Sequence, residues 1–107
     1  DLALEDYSRT IALSPYDHLA YVNRGGLLAL QGRLLDAIED FTKAIALRPD
    51  AAEAYALRGK LYRDRGEPVL AQADYEQACN LGLAGACREV HRAASDGDSN
   101  AGSGRNH

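Results

Sequence analysis

The chain has 107 residues and a mass of 11.5 kDa, the size of one small domain or of a piece of a larger one. Its 12 Lys+Arg against 16 Asp+Glu leave a net charge of −4, which argues against bulk nucleic-acid binding and against an anionic membrane surface, since both need a basic footprint. With 46% hydrophobic residues the chain is too apolar to be fully disordered, yet no uninterrupted apolar run exceeds four residues, so nothing reads as a bilayer span or a secretory leader. Residue 1 is Asp and there is no Met, so the sequence is read as beginning inside a longer protein.

Apolar spacing predicts helices over about 2–13, 17–31, 34–47, 51–65, 68–81 and 84–95. Residues 3–15 align with residues 37–49 at an offset of 34. Ala20-Tyr21-Val22-Asn23-Arg24-Gly25 aligns with Ala54-Tyr55-Ala56-Leu57-Arg58-Gly59 at the same offset of 34, and a third copy of the first block begins at Ala71. Several blocks with one common offset are the mark of a repeat architecture. Within 34–47 the apolar positions Leu34, Ala37, Ile38, Phe41, Ala44, Ile45 and Leu47 form one helical stripe. Pro49 and Asp50 are expected to end that helix and to cap the next. Gly32 and Gly66 are expected to take positive φ in tight turns between paired helices, which short loops make antiparallel. Residues 96–107 hold almost nothing to bury and read as a disordered tail.

The period, together with Tyr21, Gly25, Leu28, Ala37, Phe41, Ala44 and Pro49, repeated as Tyr55, Gly59, Tyr62, Ala71, Tyr75 and Ala78, resembles the tetratricopeptide repeat. Ala3, Tyr7 and Pro15 supply half a copy in front. The departures are Tyr at the first aromatic position, Arg24 and Arg58 where Leu is usual, Thr10 for a small Ala, and Leu83 where a third Pro would fall. The resemblance implies an all-α, right-handed solenoid of antiparallel helix pairs over residues 1–95. It divides into a half repeat 1–15, repeats 18–51 and 52–83, and a last helix 84–95. That last helix either caps the stack or is the worn start of a fourth repeat. The small residues Gly25, Gly59, Ala37, Ala71, Ala44 and Ala78 are expected where paired helices cross closely.

In this family the first helix of each pair lines a concave groove, so the resemblance implies a scaffold that binds a protein or peptide and is not an enzyme. It places Leu19, Val22, Asn23, Gly26 and Ala29 of one repeat, and Glu53, Ala56, Leu57, Lys60, Arg63 and Asp64 of the next, on that groove, which suits a peptide with an apolar stretch beside an acidic one. Lys60 and Arg63 are expected either to pair with carboxylates of a partner or to be plain solvated residues. Some relatives hold a chaperone's C-terminal carboxylate with a clamp of Lys, Asn, Asn, Lys and Arg. Here Asn23 matches, but Glu53 stands where Lys is needed and Leu57 where Arg is needed, so no such clamp is expected. The chain also resembles a stack that opens on its second helix. The face of Leu2, Leu4, Tyr7 and Ile11 then lacks a partner, which suits a homo-oligomer contact. An accessory domain of a larger enzyme is the remaining alternative.

Asp6, Asp40 and Asp74 each precede one of Arg24, Arg58 and Arg92 by 18 residues. Ion pairs between one repeat's second helix and the next repeat's first are therefore expected. Cys79 and Cys87, spaced Cys-x7-Cys across two glycines, look like the disulfide-bridged helix pairs of Sel1-like repeats. The alternative is a pair of small reduced residues, as in cytosolic proteins. The cytoplasm is the expected compartment, or the periplasm or exterior if the pair is oxidised. His18, His91 and His107 have no metal-ligand spacing around them, and no nucleophile–base arrangement or phosphate loop is present, so neither cofactor nor catalysis is expected.

Overall fold

The computed structural model describes residues 1–92. The expected tail 96–107 and the last residues of the helix expected over 84–95 lie outside the described residues. Five helices run α1 (Leu2–Leu13), α2 (His18–Leu30), α3 (Leu34–Leu47), α4 (Ala52–Asp64) and α5 (Pro68–Asn80). A sixth, α6, occupies 84–92 of the described chain. Among the described residues there is no strand, and no helix is long and apolar enough to cross a membrane.

Two kinds of connection alternate. Within a pair the turn is a glycine in the left-handed region: Gly32 at φ 78° between α2 and α3, and Gly66 at φ 77° between α4 and α5. Each closes the helix before it with the 6→1 and 5→2 hydrogen bonds of a Schellman turn. Arg33 N donates to Leu28 O and Gly32 N to Ala29 O; Glu67 N donates to Tyr62 O and Gly66 N to Arg63 O. Between pairs the chain instead passes through Pro15 or Pro49. Asp17 caps α2 by accepting from Leu19 N at 3.1 Å. Asp50, in contrast, does not cap α4: Ala51 is the N-cap without a side-chain bond, and the Asp50 carboxylate turns back to Arg48 at 3.1 Å.

The exit from α5 breaks this alternation. Leu83 replaces the proline, and Gly82 at φ 101° makes a third glycine turn of the within-pair kind, with Leu83 N donating to Ala78 O. The helix that follows begins two residues earlier in the 34-residue register than α2 and α4 do. Cys79 and Cys87 are joined by a disulfide across this turn, their Cα atoms 4.6 Å apart.

The core follows the small residues. A Cβ built on Gly25 would meet the Phe41 ring at 2.9 Å and Asp40 Cβ at 3.2 Å, and one on Gly59 would meet Asp74 Cβ at 3.1 Å and the Ala71 carbonyl at 3.2 Å. Glycine therefore sets how closely α2 crosses α3 and α4 crosses α5. Phe41, 1% exposed, packs with Leu28, Ala37, Ile38 and Leu61; Tyr75 packs with Ala71, Ala78 and Ala86 of α6. Ala44 joins Tyr21 to Ala54 of the following pair, so the core runs on between repeats. In the described residues α1 packs chiefly on α2 and buries none of its own residues.

Candidate functional site

The expected ion pairs exist, but with other partners. Arg24 holds Asp40, with Nε and Nη2 each donating to a carboxylate oxygen at 2.8 Å, and Arg58 holds Asp74 in the same two-pronged way at 2.8 Å. Each Arg therefore pairs with the Asp 16 residues after it, inside its own hairpin, and not with the Asp 18 residues before it. The glycine beside each Arg causes this. Gly25 and Gly59 bring the second helix so close that its buried Asp lies under the guanidinium. What the preceding repeat contributes is a hydroxyl: Arg24 Nη1 donates to Ser8 Oγ at 3.2 Å and Arg58 Nη1 to Thr42 Oγ1 at 3.1 Å. Arg58 also lies 5.7 Å from the ring centroids of both Tyr55 and Tyr62. The hydrogen bonds to Asp40 and Asp74 hold both guanidinium groups above their ordinary pKa. These pairs are struts within each hairpin, each tied by one hydroxyl to the repeat before it.

The open surface lies on the other side of α2 and α4. One trough of about 340 Å³ is lined by Ala3 and Tyr7 of α1, Val22, Asn23, Gly26, Leu27 and Leu30 of α2, and Glu53 and Leu57 of α4. A second of about 210 Å³ is lined by Gly26, Ala29 and Leu30 of α2, Leu34 and Phe41 of α3, and Leu57, Lys60, Leu61 and Asp64 of α4. Gly26, Leu30 and Leu57 belong to both, so the two are one continuous surface, within the size range of small-molecule and peptide-side-chain pockets.

Of the residues expected on a groove, Val22, Asn23, Gly26, Ala29, Glu53, Leu57, Lys60 and Asp64 line these troughs, and Ala56 lines neither. Leu19, 58% exposed, lines neither trough. Arg63 points to a third hollow beside α6, where Nη1 donates to Glu89 Oε2 at 2.7 Å and the guanidinium lies 5.5 Å from the Tyr75 ring centroid. Glu89 also accepts from Arg92 at 2.6 Å, and these two bonds, Arg92's first, hold its carboxyl below the ordinary range. Burial pushes the Tyr75 phenol up. Arg63 thus meets a carboxylate of its own chain. Tyr7 and Leu30 also line the trough surface, although neither was expected on the groove. Tyr7 is in register with the buried Phe41 and Tyr75, but α1 packs chiefly on α2 and leaves part of the ring in the trough wall. Among the described residues no cluster of three His, Cys, Asp or Glu is placed to hold a metal ion.

A tetratricopeptide family profile (TPR repeat) matches residues 25–66, and a second, tetratricopeptide repeat, matches residues 52–81. The chain carries tetratricopeptide repeats. Solved structures agree in fold. MamA superposes with a TM-score of 0.80 at 24% identity over 87% of this chain and 56% of its own. The first TPR of Spaghetti (RPAP3) bound to HSP90 peptide SRMEEVD superposes at 0.79, with 22% identity over 87% of this chain and 75% of that one. YrrB, described as a TPR protein with an unusual peptide-binding site, gives 0.72 at 28% identity over 75% of this chain and 41% of its own. The chain therefore spans little more than half of MamA and less than half of YrrB. No curated protein sequence matches it significantly.

Proposed function

We propose that this chain is a protein-interaction module that holds a peptide segment of a partner in the trough between α1, α2 and α4. One observation carries the reading: the trough is continuous, largely apolar and filled by no side chain of the described residues, whereas the hollow on the opposite side is lined by the Arg24–Asp40 pair, whose charges already meet each other. Two of the structural neighbours are described by a bound peptide or a peptide-binding site, which supports the class of function and not the site. Val22, Asn23, Gly26, Leu57 and Lys60 form the contact surface in this reading. Leu19 stands at its margin, and Arg63 joins only if Glu89 lets go. Glu53 makes the trough a poor clamp for a free C-terminal carboxylate, since like charges would face each other. A peptide ending Glu-Glu-Val-Asp is accordingly expected not to bind.

Site-specific photo-crosslinking tests the reading. A photoreactive residue at Asn23 faces the trough, and one at Glu39 faces the hollow on the other side. Partners captured from position 23 and not from 39 are the expected result. The same proteins from both positions, or none from either, would contradict it. A second reading, self-association through α1, draws on the exposure of Leu2 at 79% and Leu13 at 80% on a helix with no buried residue. Light scattering across a concentration series decides it, a constant monomer mass excluding the contact.

A further inference from the structure

We infer that the trough takes an apolar segment bearing a basic side chain, with an apolar group seated over Gly26 and the basic group on Glu53. This rests on the trough reading above and gives it a ligand chemistry.

The two adjacent glycines of α2 differ. Gly25 is required by its own chain, because a Cβ there would strike the Phe41 ring at 2.9 Å. At Gly26 a Cβ would meet nothing within 4 Å. Glycine inside a helix weakens it, and here no packing explains the choice. Nor does the repeat need it, since the residue 34 positions later is Lys60. What Gly26 does is lie at the junction of the two troughs and leave the backbone of α2 bare at the floor. Val22, Leu30 and Leu57 surround that bare patch with apolar walls. A bulky apolar group from a partner can approach the helix backbone there, whereas at Gly25 the Phe41 ring already fills the space.

The charge around this notch sets the second feature. Glu53 is exposed on the wall of the first trough and Asp64 on the wall of the second. Among the described residues no cation lies within ion-pair distance of either. Lys60 is the single cation among the lining residues of the two troughs. Arg63, which could have balanced Asp64 one residue on, is turned to Glu89 and the Tyr75 ring. The lining thus carries two carboxylates against one ammonium; Asp64 shares the second trough with Lys60, whereas Glu53 lies in the first, whose lining holds no cation. A Lys or Arg beside the partner's apolar anchor gains a carboxylate, whereas an acidic partner is repelled.

A randomised display library of peptides about twelve residues long, panned on the whole chain, tests this. Enriched peptides are expected to combine large apolar residues with at least one Lys or Arg. Those peptides should lose about tenfold in affinity on Glu53→Lys, and about tenfold on Gly26→Lys, which places in α2 the side chain that α4 already carries. Gly26→Ala, a smaller intrusion, should weaken them less, and circular dichroism of each variant confirms that the helices remain. Acidic winners, or basic winners indifferent to Glu53→Lys, would overturn the charge assignment and leave the trough standing. No enrichment over an empty bait, or winners indifferent to both Gly26 variants, would overturn the trough reading itself.

Discussion

Across the 34-residue offset, the pair α2–α3 and the pair α4–α5 agree at one set of positions and diverge at another. Ala20, Tyr21, Arg24, Gly25, Ala37, Asp40 and Ala44 recur as Ala54, Tyr55, Arg58, Gly59, Ala71, Asp74 and Ala78. Leu19, Asn23, Gly26, Ala29 and Leu30 become Glu53, Leu57, Lys60, Arg63 and Asp64. The first set consists of residues held by their own chain, in helix crossings and in Arg–Asp struts. The second, Leu19 apart, lies on or beside the open hollows. Packing dictates a residue where the chain supplies the neighbours and leaves it free where it supplies none. The recurring positions therefore carry the fold, and the diverging ones carry whatever distinguishes this trough from another built on the same frame.

The largest effect is expected at a strut. Arg58→Ala leaves the buried Asp74 carboxylate without its guanidinium, and stability should fall by about 3 kcal/mol, whereas Arg58→Met with Asp74→Leu should cost clearly less. The exposed Arg33–Asp36 pair is the control, and Arg33→Ala should change stability by less than about 0.5 kcal/mol. Chemical denaturation reads all three. Equal losses from Arg58→Ala and Arg33→Ala would mean that the struts do not carry the frame. Next comes Ala71→Leu, which overpacks the α4–α5 crossing at a residue 4% exposed and should cost about 1–3 kcal/mol.

The disulfide sharpens the comparison of the two exits, since only the glycine turn after α5 is bridged. Cys79→Ala with Cys87→Ala removes a short loop closure and should lower stability by about 2–3 kcal/mol. The loss should be concentrated in α6, as hydrogen exchange would show. Acid should act on the same helix. Glu89 is held below its ordinary 4.5 by Arg92 and Arg63, so its contribution is complete above that value and is lost as pH falls through the lower, folded-state value. The Tyr75 ring signals should move in that window while those of Tyr21 stay fixed.

Much of this frame was legible in the sequence. Every helix end from α1 to α5 falls within two residues of its expected place, because the 3.6-residue stripe and the glycine turns are local signals. The tetratricopeptide repeat was legible for the same reason: its marker residues are the ones that packing fixes. Partners were not so legible. Spacing placed Arg24 and Arg58 beside an Asp but chose the wrong helix, since linear distance does not say which neighbour a glycine lets approach. Asp50 looked like a cap yet turns to Arg48, because the turn after Pro49 starts α4 at Ala52. Arg63 was expected to meet a partner's carboxylate or solvent; in the fold it meets Glu89 of α6, which starts two residues early in the register after the Gly82 turn. The cysteine spacing left two redox states open, and the structure holds the bonded one.

The most direct test of the central contrast is a side-by-side melt of Gly25→Ala and Gly26→Ala. The two residues are adjacent in one helix, so helix propensity favours alanine about equally at each, by roughly 0.5–1 kcal/mol. Gly26→Ala should raise the melting temperature, the new Cβ having nothing within 4 Å to strike. Gly25→Ala should lower it, because the new Cβ meets the Phe41 ring at 2.9 Å. A Gly26→Ala variant that melts as early as Gly25→Ala would show that Gly26 is needed by the fold, and that the floor of the trough is not free for a partner.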